Sequence, residues 1–248
     1  MTMLDDSGNH SRKISMDIKT SKRFANRIQA GELLARRLTA YAGRSDVLVL
    51  ALPRGGVPVG FSIAKKLEVP LDVLLVRKIG LPGREEYAMG AIASGGVCIL
   101  QAEILSALDI PAQVIEAVAQ RELREIERRE KIYRAGRPPL QLREHVVIIA
   151  DDGLATGSTM QVAVHVVREA NPARLIVAVP VAAPDAYEKL KSEADEIICL
   201  STPEPFHAVG LWYENFEQTS DDEVKKLLKE IEREQALRKG SPEAPQHQ

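Results

Sequence analysis

The segment from Val146 to Thr159 constrains the fold of this chain more than any other. It reads VVIIADDGLATGST, in which an apolar run precedes two adjacent carboxylates, Asp151 and Asp152. A short, uninterrupted apolar run is typical of a strand that is buried on both faces, as in a parallel sheet covered by helices. A small, hydroxyl-rich turn then leads into a helical pattern. The segment therefore predicts a central strand that is followed directly by a helix.

The same segment carries groups that suit a sugar phosphate. Backbone N–H groups at the start of a helix bind phosphate dianions, and adjacent carboxylates accept hydrogen bonds from vicinal hydroxyls. A ribose 5-phosphate presents both a phosphate and such hydroxyls. Solvated carboxylates at a strand end, or a response-regulator-like acidic pocket, would explain the acidic pair without needing the turn. The candidate binding residues are Asp151, Asp152, Ala155, Thr156, Gly157, Ser158 and Thr159.

Length, charge and cysteine content limit the class of protein. The chain has 248 residues and a formal net charge of −2, which gives no electrostatic footprint for nucleic acid. No apolar run approaches the roughly 20 residues that cross a membrane, and the N-terminus lacks the apolar core of a signal peptide. Cys98 and Cys199 lie far apart and match no metal-binding spacing. We expect a cytoplasmic protein with neither a membrane nor a nucleic-acid partner.

Strand-like apolar runs alternate with helical patterns along most of the chain. This alternation predicts an α/β fold with a doubly wound, mostly parallel sheet and helices on both faces. Ligands of such sheets bind at the carboxyl ends of the strands. Strands are predicted over 47–52, 71–77, 146–150, 175–181 and 197–200, and helices over 24–41, 57–67, 111–133, 157–170 and 185–191, with a last helix from Asp221.

The composition divides the chain into one domain between two polar ends. Residues 1–20 are predicted to be a disordered leader, and residues 237–248 a disordered tail. The domain between them, 21–236, is expected to contain an insertion over about 91–140 and a C-terminal hood over about 201–220.

Two parts of the predicted insertion have patterns of their own. Residues 91–100 suggest a hairpin turned at Gly95–Gly96, preceded by a flexible loop after Gly80. The predicted helix 111–133 is dense in Glu and Arg, which is typical of a solvated face with local ion pairs. The alternative for this helix is a surface that packs on a second subunit or covers the site.

A second glycine-rich motif, ALPRGGVPVG, follows the first predicted strand. Gly55 and Gly56 would let the backbone approach an anion closely, and Arg54 would add a fork of N–H donors. By itself this motif is equally consistent with an ordinary turn between a strand and a helix.

The segment 146–159 resembles the ribose-phosphate signature of the type I phosphoribosyltransferases: an apolar strand, two acidic residues, a short variable stretch, then Thr-Gly-small-Thr. The resemblance covers about residues 24–200 and is weakest over 91–140. Overall it is closest to a bacterial group whose acceptor is undefined. It implies that Asp151 and Asp152 hold the ribose hydroxyls of phosphoribosyl pyrophosphate, while residues 155–159 wrap its 5-phosphate.

The resemblance assigns roles to other motifs as well. It implies that the loop of Arg54, Gly55 and Gly56 binds pyrophosphate and that the Pro53–Arg54 peptide bond is cis. In VRKIGLPGREEYAMG, over 76–90, a strand-end Arg-Lys pair would neutralise pyrophosphate and a mobile loop would close over the substrate. The loop would supply a general acid or base. The catalytic candidates are Arg77, Lys78, Glu85 and Glu86.

The resemblance also implies a cofactor and an acceptor. Mg²⁺ is expected, with Asp151 and Asp152 as its protein contacts, either directly or through substrate and water. In the hood, Trp212 and Tyr213 are candidates to stack on a nucleobase, although such aromatics also seal core edges. Ala155 stands where the hypoxanthine–guanine branch has an Asp, which places the motif closer to the adenine branch. Dimers are common in the family, so a homodimer is compatible with the resemblance.

The predicted function is therefore a Mg²⁺-dependent transfer of the phosphoribosyl group from phosphoribosyl pyrophosphate to a small nitrogenous acceptor, with release of pyrophosphate. One alternative is a non-catalytic protein that senses phosphoribosyl pyrophosphate or a nucleotide. Another is hydrolysis of the donor without an acceptor. The basic residues Arg54, Arg77 and Lys78 favour the enzyme, because a sensor does not need to stabilise a leaving group.

Overall fold

The structure, a computed structural model, consists of a parallel sheet and a smaller antiparallel sheet. It describes residues 23–81, 84–94, 98–100 and 111–240. The strands are β1 (Val47–Ala51), β2 (Leu71–Val73), β3 (Val76–Leu81), β4 (Arg84–Ala93), β5 (Cys98–Leu100), β6 (Val146–Ala150), β7 (Arg174–Val181) and β8 (Glu196–Ser201). The helices are α1 (Arg27–Ala35), α2 (Gly56–Leu67), α3 (Ala112–Tyr133), α4 (Ser158–Glu169), α5 (Pro184–Lys191) and α6 (Asp221–Gly240).

The larger sheet is parallel, with strand order β2-β1-β6-β7-β8, and helices cover both of its faces. Side chains alternate along each strand, so Ile148 joins the core beneath α2 and α6, while its neighbour Ile149 joins the core beneath α4 and α5. Both are fully buried, which stabilises the sheet by roughly 2–3 kcal/mol for each side chain. This arrangement confirms the predicted α/β fold class.

The central strands β1 and β6 define the ligand edge of the sheet. Chain connections leave this pair in opposite directions, because β1 continues through α2 to β2 while β6 continues through α4 to β7. Such a switch point leaves a crevice at the carboxyl ends of the two strands. The two candidate loops, 52–56 and 151–157, follow β1 and β6 and therefore lie side by side at this crevice.

The prediction of a single strand over 71–77 is wrong. Strand β2 pairs with β1 only as far as Val73. The backbone of Leu75 is instead hydrogen-bonded to Ser94. Its N–H donates to Ser94 Oγ at 3.2 Å, and its carbonyl accepts from Ser94 N at 2.9 Å. The continuous apolar run concealed this change of partner.

The described parts of the predicted loop after Gly80 are also strand. Strands β3, β4 and β5 form an antiparallel sheet, in which Lys78 pairs with Ala91 and Ile79 with Gly90. The pairing of Ile92 with Cys98 confirms the antiparallel hairpin within 91–100. Its predicted turn, Gly95–Gly96, lies outside the described residues. The chain therefore leaves the parallel sheet at Val76, before the predicted insertion, which begins near residue 91.

Helix boundaries differ from the predictions mainly at the two ends of the chain. The first helix spans Arg27–Ala35 and is capped by the Asn26 side chain, which accepts from Gln29 N at 3.0 Å. A short 3₁₀ turn over Thr39–Tyr41 follows it. The last helix continues to Gly240, beyond the predicted domain limit at 236. The proposed leader, 1–20, and residues 241–248 of the proposed tail lie outside the described residues.

Within the described ranges, none of the helices combines the length and the apolar character that a membrane crossing requires.

Candidate functional site

Two loops meet at the switch point with almost no space between them. A Cβ added to Gly55 would lie 2.0 Å from Asp152 Oδ2, and one added to Gly56 would lie 2.6 Å from the carbonyl oxygen of Ala150. Only glycine allows this approach, so the paired glycines bring the first loop against the acidic pair. The Pro53–Arg54 peptide bond that leads into this loop is cis, as the resemblance predicts.

The acidic pair at the end of β6 is half-buried and only partly neutralised. Burial raises the pKa of Asp151 well above its usual range, and the charge of Asp152 raises it further. Burial also raises the pKa of Asp152, although Arg27 opposes this shift with a 2.8 Å ion pair from Nε to Oδ2. A ligand that donates hydrogen bonds or adds positive charge here would therefore relieve an electrostatic cost.

Arg27 reaches the acidic pair from the start of α1 and is held there by the hood. Its guanidinium lies 3.8 Å from the ring centroid of Phe216, and its Nη1 donates to the carbonyl oxygen of Glu217 at 2.7 Å. The Tyr213 hydroxyl donates to the backbone oxygen of Asp152 at 2.6 Å. The hood thus fixes both the acidic loop and its cationic partner.

The turn after the acidic pair forms an open, hydroxyl-lined cradle at the start of α4. Gly157 adopts a positive φ of 74° before the first residue of the helix, a conformation that favours glycine. Thr156 Oγ1 and Ser158 Oγ lie 3.1 Å apart, with Ala155 and Thr156 exposed. A cavity of about 200 Å³ is lined by Asp151, Gly153, Leu154, Ala155, Thr156, Gly157, Ser158, Thr159, Met160 and Val209.

The antiparallel sheet brings the basic pair to this cradle. Ala91 and Ala93 of β4 pack on Val162 and Val166 of α4, which places β3 beside the helix start. There, Lys78 Nζ lies 3.5 Å from Ser158 Oγ. A phosphate group in the cradle would therefore have a cation within reach.

A small cavity shows that all three motifs converge. Pro53 of the first loop, Arg77 of β3 and Thr159 of the cradle line a space of about 30 Å³, together with Ile126 and Arg129 of α3. These motifs are far apart in the sequence, and only the fold makes them neighbours.

The family model described as Phosphoribosyl transferase domain matches residues 19–223. The chain belongs to the phosphoribosyltransferase family. The proteins named "Putative phosphoribosyl transferase" Rv0571c and MT0597, from two strains of Mycobacterium tuberculosis, are 43% identical over 213 residues. The matched region is 86% of this chain and 48% of theirs, so the chain spans about half the length of these curated relatives.

One solved structure shares the fold of this phosphoribosyltransferase-family chain. The crystal structure of TT1426 from Thermus thermophilus is 41% identical, with a TM-score of 0.77. The match covers 84% of this chain and 99% of that chain.

Two arginines of this phosphoribosyltransferase domain have carboxylate partners outside the sequence motifs. Arg77 Nε donates to Glu122 Oε2 of α3 at 2.5 Å. Arg54 Nη1 lies 3.5 Å from Asp221 Oδ1, at the start of α6. Each arginine is therefore paired with a carboxylate on a helix, Arg77 with α3 and Arg54 with α6.

The structure does not bring the two hood aromatics to the cradle cavity. Tyr213 is buried between Phe24 and Phe216, with ring centroids 5.5 and 5.0 Å away. Trp212 lines a different cavity, of about 330 Å³, beside Leu33. Val209 is the hood residue that faces the cradle, and its Cγ1 would lie 2.6 Å from a Cβ at Gly153.

The predicted general acid or base candidates, Glu85 and Glu86, have side chains outside the described residues. Their backbone belongs to β4. The prediction for these two carboxylates therefore stays a prediction.

Sequence reasoning missed several polar residues around the site, because none of them lies in a recognisable motif. Arg27 lies in the predicted first helix, Glu122 lies in the charged helix predicted over 111–133, and Asp221 begins the last predicted helix. What they share is a contact with a residue that is distant in the sequence, which only the folded structure reveals. The missed polar residues are Arg27, Glu122, Tyr133 and Asp221.

The donor set for a divalent cation is small. No cluster of three or more His, Cys, Asp or Glu side chains that could hold a metal occurs among the residues described. The adjacent carboxylates of Asp151 and Asp152 fit a cation that takes most of its oxygen ligands from substrate and water, as Mg²⁺ commonly does.

Proposed function

We propose that the protein transfers the phosphoribosyl group of phosphoribosyl pyrophosphate to a small nitrogenous acceptor, such as a nucleobase, and releases pyrophosphate. The observation that carries this proposal is the convergence of three motifs at one crevice. The acidic pair and the cradle suit a ribose 5-phosphate, while Arg54, Arg77 and Lys78 suit a second, more highly charged group. A ribose phosphate alone would not require the second set.

In this proposal the acidic pair binds the ribose and the cradle binds its 5-phosphate. Asp151 and Asp152 would accept hydrogen bonds from the 2- and 3-hydroxyls, which would stabilise the ionised pair that burial disfavours. The first backbone N–H groups of α4 and the hydroxyls of Thr156, Ser158 and Thr159 would hold the phosphate. Lys78, beside Ser158, would share its charge.

The chemical step breaks the bond between the anomeric carbon and the pyrophosphate oxygen, which departs with the electron pair. The acceptor nitrogen forms the new bond at the same carbon and afterwards gives its proton to a general base, for which Glu85 and Glu86 are the predicted candidates. Arg54 and Arg77 would stabilise the charge that develops on the leaving group. Mg²⁺, when bound, would supply further neutralisation of the pyrophosphate and ribose oxygens.

Acceptor binding is proposed at the side of the cradle that Val209 closes. This residue is the part of the hood that reaches the cavity, and Gly153 provides the space for it. The small side chain of Ala155 leaves room in the same region without offering a proton to the acceptor.

The direct test is a screen of nucleobases with labelled phosphoribosyl pyrophosphate and Mg²⁺, which follows pyrophosphate release and nucleotide formation. A base that gives stoichiometric nucleotide supports transfer. Tight binding of the donor without turnover would favour the sensor, whereas pyrophosphate release without an acceptor would favour hydrolysis. Absence of donor binding would overturn the proposal.

A further inference from the structure

The charged helix α3 makes specific contacts with the candidate site. Glu122 accepts from Arg77, and the Tyr133 hydroxyl donates to Asp221 Oδ1 at 2.5 Å. Asp221 in turn faces Arg54. Two side chains of one helix therefore connect, directly or through one carboxylate, to both arginines of the proposed leaving-group site.

Glu122 has an unusual position for a carboxylate. It is only 6% exposed and is the buried acidic residue in the part of the chain described here. Burial opposes its ionisation, but hydrogen bonds from Arg77 and Arg121, together with their charges, hold the pKa of Glu122 below its ordinary value. A buried ion pair is weak evidence for stability, since desolvation offsets much of the attraction. Its geometric effect on Arg77 is therefore the better explanation.

The geometry of the Arg77 contact suits an orienting role. Glu122 engages Nε, which is the only nitrogen of Arg77 with a hydrogen-bond partner within the described ranges. The guanidinium is planar and rigid, so one fixed N–H sets the plane of the whole group. Within the same ranges, both terminal nitrogens lack a hydrogen bond and could donate to pyrophosphate oxygens.

The second contact orients Arg54 through a relay of two side chains. Burial, and then the hydrogen bond to Asp221, raises the pKa of Tyr133 to about 12, so the hydroxyl stays a donor at neutral pH. Its proton fixes Asp221, whose carboxylate also lies near Arg54. The relay joins α3 and α6 beside Arg54, in the loop that follows β1.

We propose that α3 is a positioning element for the leaving group, in which Glu122 orients Arg77, and Tyr133 orients Arg54 through Asp221. This inference rests on the proposed function, because it assumes that the two arginines bind pyrophosphate. It assigns a role to the part of the chain where the family resemblance is weakest.

Charge and positioning predict opposite effects for one substitution. Glu122→Gln removes a negative charge beside an anion site, so simple electrostatics predicts tighter binding of pyrophosphate. Loss of orientation predicts weaker binding, by about tenfold, within the usual range of coupling between contacting charged groups. The sign of the change therefore separates the two explanations.

The experiment measures the affinities of magnesium pyrophosphate, phosphoribosyl pyrophosphate and ribose 5-phosphate by calorimetry. Glu122→Gln is expected to weaken the two pyrophosphate ligands about tenfold and to leave ribose 5-phosphate unchanged. Glu230→Gln is the matched control, since it removes an α6 carboxylate whose partner, Lys65, lies outside the three site motifs. Its affinities should equal those of the wild type.

A double-mutant cycle tests whether Glu122 acts through Arg77. Once Arg77 is Ala, the further change Glu122→Gln should have little effect on pyrophosphate affinity. Additive losses would overturn the positioning role, and so would an unchanged or tighter affinity of the single Glu122→Gln variant. If wild-type protein binds no phosphoribosyl pyrophosphate, the proposed function and the positioning role fail together. If Arg77→Ala weakens binding while Glu122→Gln does not, only the positioning role fails.

Tyr133→Phe provides a second arm that does not depend on the folding of a variant in the buried carboxylate. It removes one hydroxyl and no charge, so the ring can keep its packing. We expect a loss of about threefold in pyrophosphate affinity with unchanged ribose 5-phosphate binding, the scale of one hydrogen bond. Equal affinities for all ligands would overturn the relay to Arg54.

Discussion

Two pairs of carboxylates, Asp151 and Asp152 after β6 and Glu122 and Glu125 on α3, have pKa values that are shifted in opposite directions. Asp151 and Asp152 share one arginine, Arg27, and burial raises the pKa of each. On α3, Glu122 contacts two arginines, and Glu125 pairs with Arg128 and Arg129. Those contacts lower the pKa of Glu122 despite its burial, and they lower the pKa of Glu125 to about 2.

The two pairs differ in how far the protein itself neutralises their charge. The carboxylates on α3 are neutralised within the protein, so they hold arginines in place. The carboxylates after β6 are left with too few partners, which is costly for folding and favourable for a ligand that supplies hydroxyl donors or a cation. Carboxylates of the same chemical class therefore serve binding in one region and positioning in the other.

Removing the under-neutralised pair should have the largest effect. Replacement of both Asp151 and Asp152 by Asn is expected to weaken phosphoribosyl pyrophosphate binding by more than about 100-fold, because two charge-assisted acceptors are lost. Calorimetry measures this change, with Glu125→Gln as the control from the neutralised pair. An unchanged affinity would remove the ribose assignment and with it the contrast between the two pairs.

The second largest effect is expected from removing Arg77, the arginine that Glu122 of α3 contacts at the site. Arg77→Ala is expected to lower turnover by about 100-fold, the scale of one donor that acts on developing charge. Binding of a nucleoside monophosphate, which has no pyrophosphate, should stay near the wild-type value. Equal losses in steady-state turnover and in monophosphate affinity would contradict the leaving-group role.

On stability, Glu122→Gln should destabilise the protein. The folded-state pKa of Glu122 is lowered, so its contribution is present above the ordinary glutamate value of 4.5 and is lost as the pH falls through the folded value. The substitution should reduce the free energy of unfolding at pH 7 by about 2 kcal/mol. Urea titrations at pH 7 and pH 3 measure this, and the difference between the proteins should shrink at pH 3.

The opposite sign is expected for Asp151→Asn. Because the folded-state pKa of Asp151 is raised, the ionised form is disfavoured on folding, and stability falls as the pH rises from the ordinary value of 3.8 through the raised one. Asn keeps the oxygen that accepts from Asp152 N at 2.8 Å. We expect a gain of about 1 kcal/mol in urea unfolding at pH 7, typical of relieved strain at a binding site. A loss of stability would show that the pair is neutralised after all.

The smallest effect is expected for Glu125→Gln. Its ion pairs with Arg128 and Arg129 lie on the partly exposed surface of α3, where solvent screens them. The free energy of unfolding should fall by less than about 1 kcal/mol, and the loss should diminish in roughly 1 M salt. A larger, salt-insensitive loss would place this carboxylate in the same class as Glu122.

Local patterns predicted most of the parallel sheet. The strand 146–150 matches β6, and the helix over 111–133 matches α3 to within one residue. These segments have a period or an apolar run that local backbone geometry alone explains. The strand over 71–77 failed, because no local property of a continuous apolar run marks the point where its hydrogen-bond partner changes.

The candidate site divides in the same way. Asp151 to Thr159 form one continuous segment, so its geometry of strand, acidic pair and cradle is nearly local. The placement of Trp212 and Tyr213 depended on how the hood packs, and the structure turns both away from the cradle cavity. Glu122 and Asp221 looked like ordinary helix charges until their partners were known.

The sequence by itself determined the parallel strands, the acidic pair and the glycine-rich loops, because each depends on residues that are adjacent along the chain. Only the tertiary structure decided how these charges are balanced. Ion pairs such as Arg27–Asp152, Arg77–Glu122 and Arg54–Asp221 join segments that are 45 or more residues apart. The energy of a charge depends on its neighbours and its exposure to water, and both exist only once the chain has folded.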